Sequence, residues 1–276
     1  MNKDPEKFLE VLFDKLAWSP EQRREAMEKI VRDRDKPVRL IGIGQTGVGK
    51  TELLRSIFRI SDNDVSVLRQ LRTDATKSAT KRFYSFRIST DFGFQVEFTD
   101  GPGLGEDLQL HAELMQAWIN EIPNHDLLYW VLDGSSRDIS HIQQNMKSIL
   151  DATGFRGRFV LVINKVDKIE LEQDDRDQGF VGWNEDFNQP TKKLLKQIKR
   201  RIGDVIEKFR IYAGVDPEHI VVCSALKRWN HDLVLDKMLA LLPPECRLKL
   251  NENRDVKSST ELMSPDVRRR VEAEGG

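Results

Sequence analysis

The clearest chemistry in this chain lies in Gly44-Gln45-Thr46-Gly47-Val48-Gly49-Lys50-Thr51. These residues satisfy the spacing G-x-x-x-x-G-K-[ST], directly after an apolar run and directly before a helical pattern, the setting in which that spacing forms a phosphate-binding loop. Glycines let successive backbone N–H groups converge on a phosphate with no Cβ in the way, and the helix that begins here adds the positive end of its dipole. Lys50 is placed to reach β- and γ-phosphates, and the Thr51 hydroxyl to ligate Mg²⁺.

Three further groups follow in order. Asp100-Gly101-Pro102-Gly103 ends an apolar run. A carboxylate there can hold Mg²⁺, through a water, and Gly103 can bring a backbone N–H to a γ-phosphate at no steric cost; otherwise Asp100 is a plain turn residue. Asn164-Lys165-Val166-Asp167 ends another such run. The Asp167 carboxylate can accept from guanine N1–H and N2–H₂, a donor pair adenine lacks, so an adenine nucleotide would leave it unpaired. Asn164 would tie loops together, and the stem of Lys165 would lie on the base plane. Last comes Ser224-Ala225-Leu226, where a backbone N–H could meet guanine O6.

The phosphate loop by itself, GQTGVGKTEL, resembles that of AAA+ unfoldase ATPases, which makes an ATP-driven remodeller one reading. Such an enzyme needs an apolar strand ending in an Asp-Glu pair, and no run here offers one. The four groups together resemble the P-loop GTPases, most closely the Era-like branch of the translation-factor class, over about residues 37–243. The resemblance implies GTP and GDP as ligands, Mg²⁺ as cofactor, and slow hydrolysis driving a conformational switch. It also places a magnesium-binding threonine shortly before the second strand, which selects Thr80 from Thr73, Thr76 and Thr80. Lys50, Thr80 and Gly103 would then carry catalysis, with Thr51, Thr80 and Asp100 around the metal.

Two positions depart from related patterns. The residue after Gly103 is Leu104, where Ras-like GTPases use a glutamine to orient water. That favours slow turnover, or a GTP-binding adaptor or dimerisation module that does not hydrolyse. Gly47 stands where several potassium-activated members of the Era-like branch carry asparagine.

The elements that must hold these loops read as a mostly parallel six-stranded α/β sheet with one antiparallel edge strand and helices on both faces. Strands are predicted at 38–42, 83–89, 94–99, 127–133, 158–164 and 219–224, most as unbroken apolar runs of the buried kind. Helices are predicted at 49–59, 107–121, 139–152, 191–210 and 231–242. The pair 83–89 and 94–99 is too closely connected to be parallel, so it reads as a hairpin. Residues 1–36 read as a helical extension, with a second helix opened by Ser19-Pro20-Glu21-Gln22. Residues 37–243 form the GTPase domain and 244–276 a polar tail.

Composition limits the partners. Among 276 residues, 44 Lys and Arg balance 45 Asp and Glu for a formal charge of −1, so no overall field gathers nucleic acid or anionic lipid. Two cysteines make no disulfide framework, and the histidines lack metal-binding spacing. No window holds the ~18–20 apolar residues of a membrane span. A cytoplasmic GTPase is expected, with a guanine nucleotide, an unidentified protein effector and a nucleotide-dependent homodimer as partners. RNA or ribosome contact has no support in the sequence. Residues 168–190 carry seven acids and two bases, and 191–210 eight bases and two acids, which reads as an acidic loop folded beside a solvated basic helix. Asp133 reads as a strand-terminal turn residue.

Overall fold

The computed structural model describes residues 19–33, 36–58, 83–89, 95–103, 111–136, 139–243 and 246. Helix α1 (Pro20–Asp33) begins at the expected capping box: the Ser19 amide donates to Gln22 Oε1 at 2.9 Å and the Gln22 amide to Ser19 Oγ at 3.2 Å. The expected helix before it lies outside the described residues.

Six strands form the main sheet: β1 (Val38–Ile43), β2 (Tyr84–Ser89), β3 (Gln95–Asp100), β4 (Leu127–Asp133), β5 (Phe159–Asn164) and, after a small two-stranded element, β8 (Ile220–Val222). Their order is β2-β3-β1-β4-β5-β8. Every neighbouring pair is parallel except β2 with β3, so the expected hairpin becomes the antiparallel edge. In β4 every residue from Leu127 to Leu132 is buried, as a strand covered on both faces must be.

Alternation along the strands sends their side chains into two cores. Val38, Leu40, Phe98, Tyr129, Val131 and Val162 face helices α2 (Lys50–Ile57) and α7 (His231–Leu241), through residues such as Leu53 and Met238. Ile41, Trp130, Leu132 and Ile163 face the opposite layer. That layer is built from α3 (His111–Glu121), α4 (Ser140–Thr153) and α6 (Lys192–Ala213). Trp118, Met146, Ile198 and Phe209 fill it.

Helix α6 is capped by Thr191, whose Oγ1 accepts from the Leu194 amide, and ends at Gly214 in the left-handed region at φ 62°. Between β5 and α6 lie the short helix α5 (Gln173–Asp177) and the hairpin β6 (Trp183–Asn184) and β7 (Gln189–Pro190). The acidic stretch does fold against the basic helix. Lys193 pairs with Asp175, Gln197 Nε2 donates to Glu172 at 3.0 Å, and Lys196 and Arg200 approach the same Glu172 at 3.8 Å.

Candidate functional site

All strands that deliver site residues end on the same edge of the sheet, the edge where open α/β sheets bind ligands. At β1 the chain leaves Ile43, turns through the glycine-rich loop and enters α2 at Lys50. Gly47 at φ 77° and Gly49 at φ 91° occupy the left-handed region that side chains avoid. At Gly49 a Cβ would also lie 2.5 Å from Asn164 Nδ2, so the residue answers to two constraints at once. Lys50 Nζ donates to the Gly44 carbonyl at 2.9 Å and stands 3.7 Å from Asp100 Oδ1. The ammonium therefore spans the loop and faces the strand that carries the acid. Thr51 follows it in the first turn of α2, Val48 is buried, and Gln45 and Thr46 reach the surface.

Asp100 ends β3, and its register places it level with Gly42 of β1, which is itself level with Tyr129 of β4. The Tyr129 ring fills the space that a side chain on Gly42 would need. Burial pushes the Tyr129 hydroxyl well above its usual pKa, and the Asp100 charge adds to this. Gly101 is covered on one side by aromatic rings: a Cβ there would meet Trp118 at 2.5 Å and Phe83 at 2.6 Å. Those two rings meet edge to face with centroids 4.8 Å apart, and Trp118 Nε1 donates to the Pro102 carbonyl at 3.1 Å. Gly103 follows in open backbone.

At β5 the buried Asn164 joins three loops. Its Nδ2 donates to the Val48 carbonyl at 2.9 Å, and its Oδ1 accepts from the Ala225 amide at 2.9 Å and from Cys223 Sγ at 3.6 Å. Burial, with the Asp167 charge behind it, pushes the Cys223 thiol far up, so this is a packed group and not a reactive one. Asp167 accepts from Ser224 Oγ at 2.6 Å, and Ser224 Oγ accepts in turn from the Lys227 amide at 3.1 Å. The Leu226 side chain is exposed beside them.

Lys165 takes φ 60° and extends Nζ to Asp133 Oδ2 at 2.7 Å. Burial works to raise the Asp133 pKa, but hydrogen bonds from Lys165 and from the Ser135 hydroxyl and amide outweigh it and leave the value lowered. Asp133 is thus the anchor of Lys165 and more than the turn residue expected. Its register opposite Asn164 was the signal that a strand-by-strand reading passes over. His125, in the short connection ahead of β4, packs inside. It is 4% exposed, Nε2 lies 2.8 Å from Thr99 Oγ1 and Nδ1 3.1 Å from the Glu121 carbonyl.

The structure therefore brings together Gly44 to Thr51, Asp100, Gly103, Asn164, Lys165, Asp167 and Ser224 to Leu226 along one edge. Thr80 and Leu104 lie outside the described residues. Among the described residues no group of three His, Cys, Asp or Glu could hold a metal by itself. The donor set suits Mg²⁺ nonetheless: one hydroxyl, Thr51, and one carboxylate, Asp100, beside a phosphate loop fit an ion that keeps waters and shares phosphate oxygens.

Residues 39–165 match the model of a family described as 50S ribosome-binding GTPase. No curated protein matches the chain. Among solved structures, the LeoA bacterial dynamin GTPase from ETEC superposes with a TM-score of 0.52 at 14% identity, covering 97% of this chain and 46% of that one. This chain thus spans less than half of LeoA, and the likeness speaks for the fold alone. A probable GTP-binding protein engB gives a TM-score of 0.46 at 14% identity, covering 74% of this chain and 97% of the other. The bacterial selenocysteine-specific elongation factor EF-Sec gives 0.41 at 16%, covering 75% and 28%. Sheet order and loop geometry match the fold of a P-loop GTPase G domain, and residues 39–165 are the stretch that resembles the GTPase family.

Proposed function

We propose that the protein binds GTP and GDP with Mg²⁺, hydrolyses GTP slowly, and changes conformation when the γ-phosphate is lost. The observation that carries this reading is Asn164, one buried side chain bonded both to the phosphate loop at Val48 and to the base loop at Ala225. A link between the two ends of a nucleotide site has little purpose in a domain that binds phosphate alone.

The roles follow from chemistry. Lys50 neutralises charge on the β- and γ-phosphates, and the loop amides from Gly44 to Thr51 cradle them. Asp167 accepts from the guanine edge, with Ser224 holding its other side, and the Lys165 stem lies under the base. Thr51, Asp100 and Thr80 would hold Mg²⁺, which when bound screens phosphate charge. The Gly103 amide would meet the γ-phosphate, so hydrolysis would release the segments at Thr80 and Gly103. Leu104 has no group to orient water, which supports slow turnover, and it is also what favours the non-hydrolysing adaptor as the second reading. Placement in the Era-like branch, a domain over residues 37–243, a protein effector, pairing of two copies and a cytoplasmic location belong to the same proposal.

Phosphate release from GTP over several hours, at dilute and at concentrated protein, tests it. The expected result is slow release that Lys50→Ala reduces at least a hundredfold, about 3 kcal/mol of lost transition-state stabilisation. GTP that stays intact at every protein concentration would replace the switch with the adaptor.

A further inference from the structure

The hairpin between Trp183 and Pro190 has no part in the chemistry above, yet its polar contacts converge on the loop that follows β8. Asn188 Nδ2 donates to the Lys227 carbonyl at 2.8 Å, and Lys227 Nζ donates to both carboxylate oxygens of Glu185 at 2.6 and 2.8 Å. The Trp183 ring stands edge-on to Trp229 with centroids 6.1 Å apart. Hairpin and loop therefore meet through a neutral hydrogen bond, a two-pronged ion pair and an aromatic contact.

Within the gripped loop Arg228 holds left-handed backbone at φ 52° without being glycine, while Asn188 in the hairpin at φ 47° and Asn230 after the loop at φ 60° do so with a side chain that tolerates it. The loop closes on itself, since Ser224 and Trp229 exchange amide bonds at 3.2 and 3.1 Å. Lys227 is the hinge of this arrangement: its side chain and carbonyl go to the hairpin, and its amide goes to Ser224 Oγ, which donates to Asp167. A path of contacts thus runs from Asn188 through Lys227 and Ser224 to the carboxylate assigned to the base.

We infer that the β6–β7 hairpin sets nucleotide specificity by holding the Ser224–Trp229 loop, with Asn188, Glu185 and Lys227 as positioning residues for the guanine edge. This rests on the reading of Asp167 and the Ser224 to Leu226 backbone as the base-recognising groups. Misplacement of a preformed donor or acceptor by a fraction of an ångström is felt in selectivity before it is felt in folding. The hairpin is remote from the phosphate loop in this network, so its loss should spare whatever affinity the phosphates supply.

The test is calorimetric titration of the full chain with GDP and with ADP. Asn188→Asp removes the donor to Lys227 while keeping the oxygen that accepts from Trp183 Nε1 at 3.4 Å and a residue that tolerates left-handed backbone. It should weaken GDP about tenfold, the effect of losing one partly buried hydrogen bond, and leave ADP unchanged. The ion pair gives an independent check on the surface: Glu185→Lys and Lys227→Glu should each cost about fivefold in GDP affinity, and the double swap should restore it. A GDP-to-ADP ratio unchanged in Asn188→Asp, or charge swaps that do not compensate, overturns the positioning role while a guanine-selective wild type keeps the base assignment. A wild type that binds both nucleotides equally overturns both.

Discussion

Asn164 Nδ2 donates to the Val48 carbonyl at 2.9 Å, and this bond joins the end of β5 to the phosphate loop across 116 residues of sequence. The same side chain is 1% exposed and accepts from Ala225, so both loops depend on it for a partner. Gly49 keeps the approach open by lacking a Cβ.

Replacing that side chain orphans two buried backbone groups. Asn164→Ala leaves the Val48 carbonyl and the Ala225 amide unsatisfied, and each such group costs about 1–3 kcal/mol. Urea denaturation should show a loss of about 2–4 kcal/mol, well above the effect of a surface substitution. A change below about 0.5 kcal/mol would mean the two loops are held by other means.

The row Asp100, Gly42, Tyr129 predicts a packing coupling. Gly42→Ala pushes a methyl into the Tyr129 ring, and forced overpacking of this kind costs about 1–3 kcal/mol. Tyr129→Leu vacates the space at its own cost in buried area. The double variant should therefore be more stable than the two single losses added together, by about 1 kcal/mol in a double-mutant cycle. Simple additivity would show that the ring does not occupy the glycine's place.

Acid stability should carry the mark of a half-buried imidazole. Burial lowers His231 to a pKa of about 4, with the Arg228 charge assisting and the hydrogen bond to the Ser224 carbonyl opposing. Between pH ~4 and the unfolded value near 6.5 the unfolded chain holds the extra proton, so stability rises with pH across that window and is complete above it. Going down in pH, the loss from this group approaches about 3 kcal/mol and ends near pH 4. His125 is shifted in the same direction, by burial against the raising effect of the Glu121 carbonyl. In His231→Gln the slope of stability against pH between about 4 and 6.5 should flatten, measured by urea midpoints at fixed pH. An unchanged slope would place the titration elsewhere.

The sheet was largely legible in the sequence because its strands are short apolar runs with turn residues at their ends. Residues 127–133 form β4 as expected, and β5 begins one residue later than predicted. Helix α6 runs on to Ala213 past the predicted 210, because Ala213 returns to the core after the exposed Ile211 and Tyr212, which interrupt the apolar stripe. The strand predicted at 219–224 shrinks to Ile220–Val222: His219 closes a turn capped by Asp216, and Ser224 leaves the sheet to pair with Trp229.

The site divides in the same way. Its motif residues stand within a few positions of one another, so spacing revealed them. Helix α5 and the β6–β7 hairpin gave no such signal, since what holds the hairpin is contact with Lys227, 42 residues beyond Glu185. Asp133 was visible as a strand end, but its bond to Lys165 spans 32 residues and follows only from the alignment of β4 with β5.

The most direct test of the account is a titration of the wild type and Asp167→Asn with GDP and xanthosine diphosphate. Xanthine carries an oxygen where guanine carries the 2-amino group, so an amide that can donate should favour it over the carboxylate's own ligand. The wild type should prefer GDP, and Asp167→Asn should reverse the preference, by at least tenfold in the ratio of dissociation constants. An unaltered ratio in a folded Asp167→Asn would remove Asp167 from base recognition and with it the assignment of guanine.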